Sequence, residues 1–182
     1  MIGAPHTLRT EHLDRALGIH TTAPRLSWRL PDGAAEQVAY RLRADNGWDT
    51  GWVTGSDSVL VRYSGPTPRA AQRVCWQVRV RTDAGDSAWS EPSWFETGLL
   101  GPDDWTSQWI EPGVNPTGAP GQRPAALLRT EFDVDATVSS ARLYVTDTAC
   151  TRPSSTASGS GTPSSPPDSP STTHICRCRP ST

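Results

Sequence analysis

The stretch that decides the fold reads VCWQVRVRT and occupies positions 74–82. Its apolar and polar residues alternate strictly, so Val74, Trp76, Val78 and Val80 fall on one face of an extended chain. The residues between them are polar or small and fall on the opposite face. This pattern predicts a half-buried β-strand, because successive side chains of a strand point to opposite faces of a sheet.

Similar strand patterns lie on both sides of this stretch, separated by turn residues rich in Gly, Pro, Asp and Asn. The predicted strands and their inward-facing residues are 24–30 with Leu26, Trp28 and Leu30; 37–44 with Val38, Tyr40 and Leu42; 48–53; 59–63 with Val59, Val61 and Tyr63; and 89–97. About six or seven short strands without a helical period predict an all-β sandwich of the fibronectin type III or immunoglobulin kind over residues 24–100. Residues 1–23 are polar and irregular and are interpreted as an N-terminal arm.

The strand pattern starts again after residue 101 and stops at residue 146. Residues 127–134 alternate with Leu128, Thr130 and Phe132 on one side, and residues 141–145 form a further predicted strand. Two strands cannot close a β-domain, so residues 101–146 are interpreted as an incomplete one. In residues 147–182 roughly three-fifths are Ser, Thr or Pro, a composition that predicts a disordered tail.

The charge balance excludes two classes of partner. The chain carries 17 basic and 19 acidic residues, a formal net charge of −2, without a basic stripe. Nucleic acid and anionic membranes are therefore not expected as partners. The N-terminus has no apolar stretch behind a basic flank and no window long enough to span a membrane, so a cytoplasmic location is expected.

Histidine and cysteine are too scattered to form a site. His6, His12 and His20 lie in the N-terminal arm, whereas His174, Cys150, Cys176 and Cys178 lie in the tail and Cys75 lies on a strand. No complete set of metal ligands or catalytic triad emerges, so we predict no catalytic residue, metal or cofactor.

Tryptophan gives the only candidate binding residues. All eight lie between Trp28 and Trp109. Trp28 and Trp76 occupy inward-facing strand positions and are expected in the core. Trp48, Trp52, Trp89 and Trp94 are candidates for contact with carbohydrate or with another domain, since aromatic faces stack on apolar surfaces. The alternative is that these four also pack in the core.

Short motifs spread over residues 24–146 resemble, in their order and spacing, the N-terminal part of bacterial α-L-rhamnosidases, glycoside hydrolase family 78. The motifs are PRLSW (24–28), AYR (39–41), WDTG (48–51), WQVRV (76–80), DAG (83–85), WS (89–90), FETGLL (95–100), DW (104–105), WI (109–110), LLRTEF (127–132) and ARLYVT (141–146).

The resemblance implies a fibronectin type III-like module followed by a jelly-roll-like β-domain, with catalysis in a later (α/α)6 barrel. Family members are inverting hydrolases that use two acidic residues. No acidic residue of this chain matches the family's catalytic motif. We therefore expect an inactive, non-catalytic N-terminal fragment of an enzyme that removes terminal α-L-rhamnose from rhamnose-containing glycosides through the missing catalytic domain. The alternative is a stand-alone β-sandwich that binds carbohydrate or protein.

The tail departs abruptly from the family pattern. Members that share the ARLYVT motif continue with Gly-x-Gly-x-Tyr, an Asn-Gly turn and an Ala-Pro-Gly segment, none of which appears after Thr146. If each codon's third base is read with the first two bases of the next codon, the degenerate codons permit these motifs in the family's order. We therefore expect a one-base frameshift near Thr146 and a truncated product.

Overall fold

The structure, a computed structural model, describes residues 2–110, 113, 128–131, 133, 141–147 and 173–178. The chain divides into two compact units, Met1–Gln108 and Trp109–Thr182. Regular structure in the described residues is almost entirely β, which confirms the predicted all-β class. In this described part, no helix has both the length and the apolar character needed to cross a membrane.

The first unit is built from nine strands in two sheets. The strands are β1 (His6–Thr10), β2 (Ala16–Ile19), β3 (Arg25–Arg29), β4 (Gln37–Ala44), β5 (Val53–Thr54), β6 (Val61–Arg62), β7 (Arg73–Thr82), β8 (Gly85–Asp86) and β9 (Ser93–Thr97). The smaller sheet has the order β1-β3-β6. The larger sheet has the order β2-β9-β7-β4-β5, with β8 added to the end of β7 as a tight hairpin. All pairings are antiparallel except that of β2 with β9.

Strand β7 forms the centre of the core, as its alternating sequence predicts. Val74, Trp76, Val78 and Val80 are each 0% exposed. They share one buried cluster with residues from both sheets, among them Leu26, Trp28, Leu42, Tyr63 and Phe95. Burying large apolar side chains between two sheets is the main stabilising contribution in a sandwich of this kind.

The buried indole N–H groups find partners inside this core. Trp28 donates its Nε1 hydrogen to Gln37 Oε1 at 3.0 Å, and Trp76 donates to Thr10 Oγ1 at 3.3 Å. Gln37 in turn donates to the carbonyl of Asp57 at 2.8 Å. Buried polar groups are tolerated when they are hydrogen-bonded in this way.

Two of the predicted inward-facing residues are exposed instead. Val38 is 44% exposed, because the register of β4 shifts between Gln37 and Ala39 and both of those residues are buried. An irregularity of this kind reverses the faces of the residues beside it. Val59 is 65% exposed, because Leu60 has a positive φ of 58° and regular pairing begins only at Val61.

The interpretation of residues 1–23 as a separate arm is wrong for most of that segment. Strand β1 pairs with β3 in the smaller sheet, and β2 pairs with β9 in the larger one. Leu8 and Ala16 belong to the shared core. Alternation is hidden here because the strands are short and several non-glycine residues have a positive φ, including Thr7 within β1 and Arg15 just before β2.

The second unit contains the strands β10 (Arg142–Asp147) and β11 (Thr173–Cys178), which pair in parallel. Strand β10 confirms the strand predicted at 141–145. The predicted strand at 127–134 lies partly outside the described residues, Phe132 included, and residues 128–131 are not in a strand.

Most of the segment predicted to be disordered, residues 147–182, also lies outside the described residues. Strand β11 is an ordered exception to that prediction. Its sequence THICRC is a run free of Ser, Pro and Gly, with one isoleucine, so it has a higher strand propensity than the surrounding tail. For the rest of the tail, disorder stays a prediction, as does the jelly-roll-like character of the second domain.

Candidate functional site

The outer face of the larger sheet carries a cluster of arginine and tryptophan side chains. We call it the arginine–tryptophan face, formed by Arg41, Arg43, Trp52, Arg73, Arg79, Arg81, Trp89 and Trp94. The arginines come from alternate positions of β4 and β7, whose inward-facing neighbours form the core. Register places Arg41 opposite Arg79 and Arg43 opposite Gln77, so their side chains lie side by side.

Each tryptophan of this face is positioned by its local sequence. Trp94 lies on β9 opposite Cys75. Trp89 lies in a segment that runs beside β7 and is held there by two serine hydroxyls. Trp52 follows a turn in which Asp49 Oδ1 accepts a hydrogen bond from Gly51 N at 2.8 Å and Gly51 has a φ of 61°.

Guanidinium groups lie over all three indole rings. The Cζ atom of Arg43 is 4.1 Å from the ring centroid of Trp89, and that of Arg73 is 4.0 Å from the ring centroid of Trp94. Trp52 has Arg81 at 4.5 Å and Arg79 at 4.9 Å. These are cation–π distances, worth about 0.5–1 kcal/mol each where the pair is partly exposed.

Arg79 joins two of these stacks. Its guanidinium is 4.9 Å from the ring centroid of Trp52 and 5.8 Å from that of Trp89. The same side chain makes a long ion pair of 3.8 Å with Asp86. The result is a continuous series of aromatic and cationic groups across β5, β7 and the segment before β9.

Three carboxylates of this face are ion-paired with its arginines. Asp49 accepts from Arg41 Nη2 at 2.7 Å, Asp86 accepts from Arg81 Nε at 2.7 Å, and Glu96 lies 3.0 Å from Arg73 Nη2. Hydrogen bonds from Arg41 hold the pKa of Asp49 below its usual range, and those from Arg81 do the same for the pKa of Asp86. Both carboxylates therefore stay ionised at any ordinary pH.

Cys75 lies on the same face but lacks the features of a reactive thiol. It is a half-buried free thiol. Burial raises the pKa of Cys75, and nearby Asp45 raises it further. A thiolate is the reactive form, so these surroundings favour an inert cysteine. Among the described residues, no group of three or more His, Cys, Asp or Glu side chains is arranged to hold a metal ion.

The four candidate tryptophans divide into two sets. Trp48 is only 9% exposed and packs edge-on against Tyr63, with ring centroids 4.5 Å apart, so it belongs to the core. Trp52, Trp89 and Trp94 are half-buried and share the arginine–tryptophan face. Whether these three contact carbohydrate or another domain stays a prediction.

The arginine partners were not foreseen. The signal for them is present in the sequence, because Arg79 and Arg81 occupy outward positions of the stretch 74–82 and Arg41 and Arg43 occupy outward positions of the strand before it. What the sequence lacks is the register that sets these arginines beside particular indole rings. An indole covered by a guanidinium offers less free surface for stacking on a sugar ring than an uncovered one.

Two mainly antiparallel sheets around one aromatic core define an immunoglobulin-like β-sandwich domain. Residues 5–101 match the family model described as "Rha78A-like, N-terminal immunoglobulin domain". The chain belongs to this family.

Two α-L-rhamnosidases that are similar in sequence support this assignment. The chain is 41% identical over 122 residues to an α-L-rhamnosidase of Streptomyces avermitilis, a match that covers 60% of this chain and 12% of that protein. It is 31% identical over 161 residues to an α-L-rhamnosidase of Formosa agariphila, covering 79% of this chain and 17% of the relative. The chain thus spans less than a fifth of the length of either relative.

A solved structure shows the same fold. The crystal structure of Streptomyces avermitilis α-L-rhamnosidase complexed with L-rhamnose matches with a TM-score of 0.55 and 39% sequence identity. The match covers 59% of this chain and 12% of that one. The resemblance to α-L-rhamnosidases expected from the sequence motifs is therefore confirmed.

Proposed function

We propose that this chain is a non-catalytic N-terminal module of an α-L-rhamnosidase and contributes a structural domain to that enzyme. The observation that carries the proposal is the state of the acidic groups on the arginine–tryptophan face. Asp49, Asp86 and Glu96 are each engaged by an arginine. Membership of an N-terminal immunoglobulin-domain family supports the same role.

The ion pairs are unsuited to glycoside hydrolysis. An inverting glycosidase needs one carboxylic acid that stays protonated near neutral pH, so the pKa of that group must be raised. The pKa values of Asp49 and Asp86 move in the opposite direction. Neither group has a proton to give to a leaving oxygen at neutral pH.

The proposed substrate of the whole enzyme is a glycoside that contains rhamnose. The relative from Streptomyces avermitilis has been solved in complex with L-rhamnose, which supports this class of substrate. In our proposal the rhamnoside is cleaved by a domain other than the sandwich of residues 5–101.

A hydrolysis assay tests the proposal. The full chain is incubated with an aryl α-L-rhamnoside and the released aryl alcohol is measured, with an active α-L-rhamnosidase at equal molar concentration as the positive control. We expect no release above the buffer blank. Turnover that rises with the concentration of the chain and is lost in an Asp49→Asn or Asp86→Asn variant would overturn the proposal.

A further inference from the structure

A second surface of the sandwich, on the smaller sheet, has an uncompensated positive charge beside an open groove. We call it the arginine groove. It has a volume of about 500 Å³ and is lined by Glu11, Thr21, Ala23, Arg25, Leu60 and Arg62. None of these residues belongs to the arginine–tryptophan face, which lies on the larger sheet.

Two arginines face each other across the strands that form the floor of this groove. Arg25 on β3 is the register partner of Arg62 on β6. Tyr63 N donates to Pro24 O at 2.8 Å one position along, so the two arginines occupy the closer-spaced kind of antiparallel pair. Their Cβ atoms are therefore about 4.5–5.5 Å apart, and like charges at that separation destabilise a sheet.

Only one of these arginines is neutralised. The carboxylate of Glu11 accepts from the backbone N–H of Arg25 at 2.7 Å and from its Nη2 at 2.6 Å. Arg25 Nε completes a bidentate pair with the same carboxylate. This geometry lowers the pKa of Glu11 and raises that of Arg25, so both groups stay charged.

Arg62 is exposed, and its side chain has no hydrogen bond or ion pair with any residue in the described part of the chain. Arg25 uses only Nε and Nη2 toward Glu11, so its Nη1 hydrogens also point to no described partner. The side chains of Glu11, Arg25 and Arg62 together therefore carry a net charge of +1. A planar arginine fork is well suited to hold a carboxylate by two parallel hydrogen bonds.

The walls of the groove combine apolar and polar side chains. Ala23 and Leu60 supply an apolar surface, and Thr21 supplies a half-buried hydroxyl. Both Glu11 and Leu60 are held at a positive φ, 49° and 58°, which costs about 1–2 kcal/mol for a residue with a side chain. Strain of this kind persists where the surrounding structure fixes the residue, and here it fixes two residues that line the groove.

We propose that the arginine groove binds the carboxylate of a uronic acid residue, with Arg62 as its principal ligand. Glu11 limits the site to one negative charge, because a second would lie close to its own carboxylate. The ring of the sugar lies against Ala23 and Leu60. This inference goes beyond the proposed structural role, since it adds a binding site that hydrolysis does not need.

Titration of the full chain with D-glucuronate, followed by amide chemical shifts or calorimetry, tests the proposal. We expect saturable binding of glucuronate and none of neutral D-glucose at the same concentration. At matched ionic strength, inorganic sulfate is expected to bind at least tenfold more weakly, because the groove offers a ring surface and only one net positive charge.

Two variants assign the binding to the groove. Arg62→Gln is expected to raise the Kd for glucuronate at least tenfold while the protein stays folded, since the Arg62 side chain makes no hydrogen bond or ion pair with a described residue. The control is Arg29→Gln, an exposed arginine on the same strand and face as Arg25 but at its other end. It is expected to leave the Kd unchanged.

Several results would overturn the proposal. These are the absence of saturable glucuronate binding, an unchanged Kd in Arg62→Gln, and sulfate binding as tight as glucuronate, which would show an anion site without selectivity for a sugar acid. These three results concern binding, whereas a failure of the proposed function would appear as turnover of the aryl rhamnoside.

Discussion

At the residue scale, the aromatic core packs tightly against one glycine, Gly65. Gly65 is packed so tightly against Trp48 and Tyr63 that an added Cβ would lie 2.7 Å from Trp48 Cγ and 2.6 Å from Tyr63 Cζ. Real Cβ atoms do not approach carbon so closely, and both rings are held by other contacts. Tyr63 is fixed by a hydrogen bond from Asn46 Nδ2 at 2.7 Å and by its own donation to Pro66 O at 3.0 Å.

We therefore expect Gly65→Ala to destabilise the sandwich by about 1–3 kcal/mol, the usual cost of overpacking a core. Urea unfolding followed by tryptophan fluorescence measures the change. Gly101→Ala is the matched control, because its added methyl group would meet only Asp104 Oδ2 at 4.0 Å. A Gly65→Ala variant as stable as the Gly101→Ala variant would show that the two rings can move aside.

Residue positions were predictable from the sequence where the backbone is regular. The four inward-facing residues of 74–82 were identified because strict alternation needs no knowledge of neighbouring strands. Val38 and Val59 were misplaced because a register shift and a positive φ reverse a face without changing the pattern of apolar residues. The arginine partners of Trp52, Trp89 and Trp94 were missed because a cation–π contact depends on cross-strand register.

At the scale of elements, serine side chains replace a missing strand beside β7. Ser87 Oγ accepts from Val80 N at 2.8 Å, and Ser90 Oγ accepts from Val78 N at 3.1 Å. The backbone N–H groups of the two serines donate in return to the carbonyls of the same valines. The edge of β7 is satisfied in this way up to the point where β9 begins.

Removing these hydroxyls should leave buried backbone N–H groups without acceptors. We expect Ser87→Ala and Ser90→Ala each to reduce the free energy of unfolding by about 1–3 kcal/mol. Hydrogen exchange at the Val78 and Val80 amides should become faster in the corresponding variant. The control is Ser93→Ala, because Ser93 Oγ is buried without a hydrogen-bond partner in the structure.

Loss of the Ser93 hydroxyl should be neutral or stabilising, since no hydrogen bond is broken and a buried polar atom is removed. Equal destabilisation by Ser93→Ala and Ser90→Ala would contradict the role given to the two bonded hydroxyls.

The paired carboxylates also make the stability of the sandwich depend on pH. The pKa values of Glu11, Asp49 and Asp86 are lowered mainly by hydrogen bonds from arginine. A lowered pKa means that the stabilisation is fully present above the unfolded-state value, about 4 for these groups, and is lost as the pH falls through the folded-state value. Each pair is largely exposed, so solvent screening keeps its contribution to stability small.

Thermal unfolding between neutral pH and pH 2 measures this dependence. We expect the Tm to be level down to about pH 4.5 and to fall below about pH 4. Arg41→Gln should make the acid-induced fall shallower, because Asp49 then loses the partner that lowers its pKa. A Tm that rises on acidification would contradict the ion-pair arrangement.

At the scale of the whole molecule, the break in composition after residue 146 was visible in the sequence, because large apolar residues become rare and Ser, Thr and Pro become frequent. The N-terminal boundary of the sandwich was not visible, because β1 and β2 are only five and four residues long and are stabilised by pairing with β3 and β9. The family match at residues 5–101 agrees with the extent of the two sheets.

The frameshift near Thr146 stays a prediction with a direct test. Sequencing the gene across and beyond the Thr146 codon should reveal, in the shifted frame, the Asn-Gly and Ala-Pro-Gly motifs in the family's order. A shifted frame without these motifs would reject the frameshift and leave the Ser/Thr/Pro-rich tail as an inherited feature of the protein.

The engaged indole rings also support the structural role, since Trp48 packs in the core and Trp52, Trp89 and Trp94 lie against arginines. Calorimetric titration of the full chain with L-rhamnose, with tryptophan fluorescence followed in parallel, is the most direct test. We predict no saturable heat and no change in fluorescence beyond dilution. Saturable binding that is lost in Trp89→Ala, while Trp28→Phe retains it, would contradict the structural role and establish a carbohydrate-binding module.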